Sequence, residues 1–334
     1  MKRPHLSLFG AVTFSTLLLN QAAQCVIVAG ASGGGNTSNN TSRAQLESEL
    51  ATQFPAYENV VSYSDASGVY LGYDPATKDV WVLTARHINV GGSTIVIDGL
   101  TYDRQPDGDG FGYLVGGDLR LVRYTRPDQA VPSLPAVKIS TTVPVGGTSL
   151  VMIGSGQNRV ENASTNAGTS DATSLTIGTG YHWSGTNIER WGTNNIEFEF
   201  PDSLESTGPI AGATGTFSMG AYSTVAFSTD FDQPGGGQWL SSNEAQGSLG
   251  DSGGGAFYFN GSEWVLAGIF SSVTSFSGQA ANSSAFGNQT LITDVFNYRN
   301  EIADAMGGAV LVPEPASTVL LGLAAVALAG RRRR

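Results

Sequence analysis

From about Asn59 to Gly287 the chain is written in short runs rich in Val, Ile, Thr, Tyr and Phe, cut at close intervals by Gly, Asn, Asp and Pro. Val80–Leu83, Thr94–Ile97, Leu119–Val122, Ser149–Ile153, Ile196–Phe200 and Trp264–Ala267 are examples. Runs of this length are those of strands, and at this spacing they predict an all-β sandwich or barrel. The stretch is long enough for two small barrels and shows no repeat of fixed period. The only cysteine is Cys25, so no disulfide can form inside the β region, and its core must hold by packing.

Helical patterns flank this region. Thr293 or Asp294 reads as an N-cap, with Val295, Phe296, Ile302 and Met306 on one stripe and Gly307-Gly308 closing the turn. A weaker pattern places Leu46, Leu50 and Phe54 on one face after Ser42. Residues 32–42 hold no apolar side chain, which predicts a flexible leader.

Both ends read as sorting segments. Met1-Lys2-Arg3, an apolar stretch through Leu19 and the small, polar residues that follow form a secretory signal peptide. Small residues at Ala22-Ala23-Gln24 and at Ala29-Gly30-Ala31 offer two cleavage points, of which the earlier is favoured; an uncleaved anchor and a lipidated Cys25 are the alternatives. At the other end stand Val312-Pro313-Glu314-Pro315, an apolar run over 316–330, and four arginines. Such a run enters a bilayer and its basic end resists translocation, which leaves the body outside. The expected organisation is a signal peptide over 1–24, a leader with a short helix over 25–57, a folded domain over 58–306, and a sorting tail over 312–334.

The chain has 17 basic and 28 acidic residues; without Lys2, Arg3, Glu314 and the four terminal arginines, 11 stand against 27, a net of −16. That balance excludes the basic footprint of a nucleic-acid binder. It suits a protein kept soluble outside the cell.

Gly250-Asp251-Ser252-Gly253-Gly254 is the strongest chemical signal. A serine hydroxyl is a weak nucleophile and needs a base, most often an imidazole. Of three histidines, His5 lies in the signal peptide, leaving His87 and His182. His87 ends the apolar run that begins at Trp81, where a strand leaves the core. His182, between Tyr181 and Trp183, reads as part of a packed aromatic cluster. Asp118 stands just before the alternating run Leu119–Val122, well placed to accept an imidazole N–H, although Asp98, Asp103, Asp107 and Asp109 lie in the same interval. The serine motif also satisfies Gly-x-Ser-x-Gly, but that nucleophile elbow needs a histidine after the serine, and none follows Ser252. Asp107-Gly108-Asp109-Gly110 reads as a tight turn rather than a calcium loop, since no closing glutamate follows; no metal or cofactor is expected.

Three blocks of the chain resemble the chymotrypsin/trypsin-like serine proteases: Leu83-Thr84-Ala85-Arg86-His87, Asp118-Leu119-Arg120-Leu121-Val122 and Gly250–Gly254. Gly268-Ile269-Phe270-Ser271 is similar to the strand that lines their substrate channel. The resemblance implies two antiparallel six-stranded β-barrels, about 58–140 and 145–290, with a C-terminal helix. It further implies catalysis by His87, Asp118 and Ser252, and an oxyanion hole from the N–H groups of Gly250 and Ser252. Gln246, Ser271, Ser272 and Val273 would line the substrate pocket. An uncharged Gln246 at its floor argues against a strict Arg/Lys preference, which Glu244 would restore by turning inward. Protein or peptide substrates are implied.

The chain departs from that pattern where Ile88 replaces the expected cysteine. In activated family members a new apolar N-terminus pairs with the acid before the nucleophile, here Asp251; Val26-Ile27-Val28 has suitable chemistry but is separated from the β region by the leader. The tail resembles the PEP-CTERM signal of Gram-negative bacteria, which implies exosortase-type sorting machinery as a partner, membrane contact through the tail, and delivery to the envelope or extracellular matrix. A catalytically silent surface or matrix protein using the same fold for binding is the alternative function.

Overall fold

The computed structural model describes residues 26–29, 42–63, 65–143, 145–159, 173–174, 179–184, 189–197, 214–218, 222–236 and 240–307. The expected signal peptide and the expected tail lie outside them. Among the described residues no helix is long and apolar enough to cross a membrane.

The chain is all-β, built on two antiparallel sheets with a C-terminal helix. The N-terminal sheet runs, edge to edge, Val60–Ser62, Ser67–Tyr73, Val80–Ala85, Leu119–Thr125, Leu100–Arg104 and Thr94–Ile97, with Tyr113–Leu114 added against Leu119–Thr125. It curls far enough to bring its two edge strands into contact. The C-terminal sheet runs Arg190–Asn195, Ser149–Gly154, Gly255–Phe259, Trp264–Val273, Gln289–Asp294, Ser223–Asp230 and Gly215–Ser218. Each sheet has one strand more than the expected six. A smaller sheet of Asn158–Arg159, Thr173–Ser174, Thr179–Ser184 and Ser283–Ala285 stands beside the second, and nothing in the sequence pattern announced it.

The central strands are buried on both faces, which explains why they read as continuous apolar runs instead of alternating ones. Along Val80–Ala85, Val80 and Val82 join Tyr70, Ile95 and Tyr124 inside the first sheet. Trp81, Leu83 and Ala85 point the other way, into a core shared with Val151, Phe257 and Ile269 of the second. Leu46 and Phe54 are fully buried in that shared core, so the weak helical pattern after Ser42 is a real element: Arg43–Leu50, capped by the Ser42 hydroxyl, which accepts from Gln45 N–H at 3.3 Å.

Two boundaries differ from the sequence reading. The C-terminal helix is Arg299–Ala305, beginning well after Asp294, because Asp294 ends a strand and spends its carboxylate on the N–H of Phe296 in a local turn (3.0 Å). Val26–Ala29, assigned to the leader, are 1–4% exposed. There Ile27–Val28 pairs antiparallel with Ala245–Gln246, and Ala29 N–H donates to Glu244 O at 2.8 Å. The expected turn at 107–110 forms, with the Asp107 carboxylate held by Arg123 (2.6 and 2.9 Å) and Asp109 by Arg120 (2.7 Å).

Candidate active site

His87 stands two residues past the end of the Val80–Ala85 strand, Asp118 immediately precedes Leu119–Thr125, and these two strands pair in register from Val80 opposite Tyr124 to Ala85 opposite Leu119. The pairing brings the two side chains to one end of the sheet. Asp118 Oδ2 lies 2.8 Å from His87 Nδ1, and Oδ1 accepts the backbone N–H of His87 at 3.1 Å. Two hydroxyls from the second half complete the carboxylate: Tyr222 donates to Oδ1 at 2.8 Å and Ser271 donates to Oδ2. Asp118 is fully buried, and burial alone would raise its pKa. The hydrogen bond and charge of His87, with the Ser271 and Tyr222 hydroxyls, outweigh that and hold it below the ordinary value. An ionised carboxylate only accepts, so His87 Nδ1 carries a proton, and in the neutral imidazole Nε2 accepts from Ser252 Oγ at 2.9 Å.

The backbone around Asp118 is unusually constrained. Gly116 and Gly117 both have positive φ, 99° and 51°. A Cβ on either would run into the Tyr298 ring, and one on Gly117 also into Thr224 Oγ1. Tyr298 in turn anchors by accepting Val225 N–H at 2.8 Å, and Thr224 Oγ1 accepts Asp118 N–H at 3.2 Å. Hence the Gly-Gly before the acid, and the segment before the C-terminal helix, are part of what aims it.

Ser252 is positioned by Ser67, at the start of a first-sheet strand. Ser67 N–H donates to Ser252 O (2.8 Å), Ser67 Oγ donates to Gly250 O (3.1 Å), and Ser67 O accepts Thr84 Oγ (2.6 Å). The serine loop is thereby tied across to the sheet that carries His87. Gly253 (φ 89°) lies so close to Ser67 O and Thr84 Oγ1 that any Cβ would collide with both. Gly250 (φ 99°) turns the chain just before Ser252, and among the described residues the N–H groups of Gly250 and Ser252 donate to no protein acceptor. Two free N–H groups beside a serine hydroxyl are a ready site for a developing oxyanion.

Asp251 is 1% exposed. Its Oδ2 accepts Ser248 N–H at 2.6 Å and Ser248 Oγ at 2.9 Å. Burial pushes its pKa up to about 7, opposed by Ser248 and by the backbone N–H groups of Gly156 and Val26 that face the carboxyl. Val26 itself has φ 42°, a left-handed value that is costly for a β-branched residue.

A cavity of about 230 Å³ opens beside His87 and Ser252, lined further by Ser271, Ser272 and Val273, by Gly247 to Leu249, and by Trp183 and Thr290. Three of the expected pocket residues are thus in its lining. Gln246 is not: it is 1% exposed and belongs to the strand that pairs with Ile27. Glu244 does not turn inward either; it is fully buried, with Oε2 accepting Leu240 N–H at 3.1 Å. His182 is exposed rather than packed, since the strand alternation buries its neighbour Tyr181 instead. Sequence reasoning missed Ser67, Tyr222, Thr224 and Tyr298 altogether.

No curated protein matches the chain. Among solved structures it is similar to the inactive form of Rv3671c from M. tuberculosis H37Rv, at 11% identity over 84% of this chain and 98% of that one, with a TM-score of 0.44. It is similar also to neuropsin, a serine protease expressed in the limbic system of mouse brain, at 15% identity over 76% and 96%, with a TM-score of 0.41. The murine norovirus NS6 protease stands at 15% over 72% and 94%, with a TM-score of 0.36. Residues 311–334 match the PEP-CTERM protein-sorting motif, so the chain ends in that sorting tail.

Proposed function

We propose that the chain is an exported serine endopeptidase that cleaves peptide bonds through an acyl-enzyme on Ser252. The observation that carries this reading is the continuous hydrogen-bonded series from Asp118 through His87 to Ser252, at 2.8 and 2.9 Å, ending beside two N–H groups that meet no acceptor among the described residues. Ser252 Oγ attacks the peptide carbonyl as His87 Nε2 takes its proton. The carbonyl oxygen, now negative, accepts the N–H groups of Gly250 and Ser252. Asp118 stabilises the imidazolium without taking its proton. His87 then protonates the leaving amine; a water, deprotonated by His87, attacks the acyl carbon, and His87 returns that proton to Ser252 Oγ as the acid product leaves.

The PEP-CTERM tail supports delivery of this domain to the envelope of a Gram-negative bacterium through exosortase-type machinery. Maturation at Cys25–Val26 follows from the same reading. A new α-ammonium at Val26 would face the Asp251 carboxyl, and the unfavourable φ of Val26 would vanish with the preceding peptide bond. The test of function is hydrolysis of fluorescently labelled casein by purified chain starting at Val26. Turnover abolished in Ser252→Ala and in His87→Ala is the expected result, and equal turnover in wild type and Ser252→Ala would overturn the proposal.

A further inference from the structure

We infer that the cavity beside Ser252 selects a short, uncharged aliphatic side chain, of the Ala or Val class, immediately before the bond that is cut. This deepens the endopeptidase reading and rests on it. Three observations converge. First, among the described residues the lining carries no available charge. His87 is engaged with Asp118 and Ser252, and the Asp251 carboxyl is 1% exposed and already accepts Ser248 twice. Glu244, the acid near enough in sequence to answer a cation, is fully buried on Leu240 N–H outside the lining. A Lys or Arg side chain entering here would be desolvated without a counter-ion, and an acidic one without a donor of positive charge.

Second, the Gly247 side of the cavity is crowded by methyl groups. A Cβ built there would meet Thr290 Cγ2 at 3.2 Å and Val273 Cγ1 at 3.3 Å, so two methyl groups fill the space directly in front of that wall. Thr290 cannot swing away freely, because its Oγ1 accepts Gly247 N–H at 2.9 Å, and both residues are β-branched and stiff at χ1. A substrate side chain that reaches toward Gly247 therefore meets these methyls first. Third, the lining offers exposed apolar surface: Leu249 is 60% and Val273 38% exposed, and Trp183 also lines the cavity. Small apolar groups gain from that contact, whereas a large ring would have to displace the Val273 and Thr290 methyls beside Gly247.

The test is a panel of otherwise identical peptides with Ala, Val, Phe, Lys or Glu before the scissile bond, cleaved by the chain starting at Val26. Ala or Val should exceed Phe by about 10-fold and Lys and Glu by about 100-fold in kcat/KM. Val273→Gly, at the exposed rim, should raise kcat/KM for Phe at least several-fold; Thr290→Gly should do the same, and agreement between the two guards against misfolding of either. A best substrate with Lys, Glu or Phe, or no change for Phe in Val273→Gly, would overturn the inference. Fluorophosphonate labelling of the same preparation separates the levels. Labelled protein that cleaves casein but prefers another peptide, or none of the panel, overturns the side-chain preference alone, whereas unlabelled protein, or labelled protein that leaves casein intact, overturns the endopeptidase reading beneath it.

Discussion

Asp118 has no acceptor capacity left, since its two oxygens take four donors: His87 twice, Tyr222 and Ser271. Replacing it by Asn breaks the logic that places a proton on His87 Nδ1, and Asp118→Asn should lower kcat by about 10³- to 10⁴-fold with KM little changed. Tyr222 is expected to act through Asp118. Tyr222→Phe removes one donor, leaving more negative charge on the carboxylate to attract the imidazolium. It should reduce kcat several-fold and move the acid limb of the kcat/KM profile to higher pH; an unmoved limb would reduce Tyr222 to packing, where its ring lies under the Arg86 guanidinium at 4.4 Å. His87 and Ser252 were legible because their signals are local, a strand end and a glycine-framed serine. Tyr222 was not, because it lies 104 residues from Asp118 beside a strand that reads like its neighbours. No pattern along the chain reports which hydroxyl the fold delivers to a distant acid.

At the scale of elements, the short strand Ile27–Val28 carries more than its length suggests. It pairs with the strand just upstream of the serine loop, and it brings Val26 N–H to the buried Asp251 carboxyl. A chain starting at Val26 should react with fluorophosphonate at least about 10-fold faster than one with a few residues in front of Val26, because a buried carboxylate without a cation is costly. Asp251→Asn should erase the difference. Equal rates in the two forms would remove the terminus from the account. The polar stretch over 32–42 made this segment look like part of a leader, and only pairing across more than 200 residues of chain showed otherwise. The all-β class was legible for the opposite reason: strands buried on both faces leave long apolar runs in the text. The start of the last helix was misread because Asp294 caps a turn as readily as a helix, and the local residues do not distinguish the two.

Among the described residues, burial is the chief cause that raises the pKa values of five carboxyls: Glu244 to about 9, Glu189 to about 8, Asp251 to about 7, Asp294 to about 6, and Asp232 above its ordinary value. For Glu244 the charges of Asp232 and Glu197 add to the rise. A carboxyl whose folded pKa exceeds its unfolded value contributes stability that is complete below the unfolded pKa, near 4.3 for Glu, and lost as pH rises through the folded one. The fold should therefore weaken between about pH 5 and 9, while His87 must be neutral to act as base. Glu244→Gln should unfold at about the same temperature as wild type near pH 5 and several degrees higher at pH 9, a gain on the order of a few kcal/mol. Equal melting curves at pH 9 would mean that Glu244 is not held neutral by its surroundings.

The central claim is that Ser252 is a nucleophile activated by His87 and Asp118. Intact-mass analysis of the chain starting at Val26 after fluorophosphonate treatment, with the adduct mapped by peptide sequencing, tests it most directly. The account predicts one adduct per chain on Ser252, absent in Ser252→Ala and formed at least about 10³-fold more slowly in His87→Ala. An adduct at another residue, or labelling of Ser252 that is indifferent to loss of His87, would contradict it.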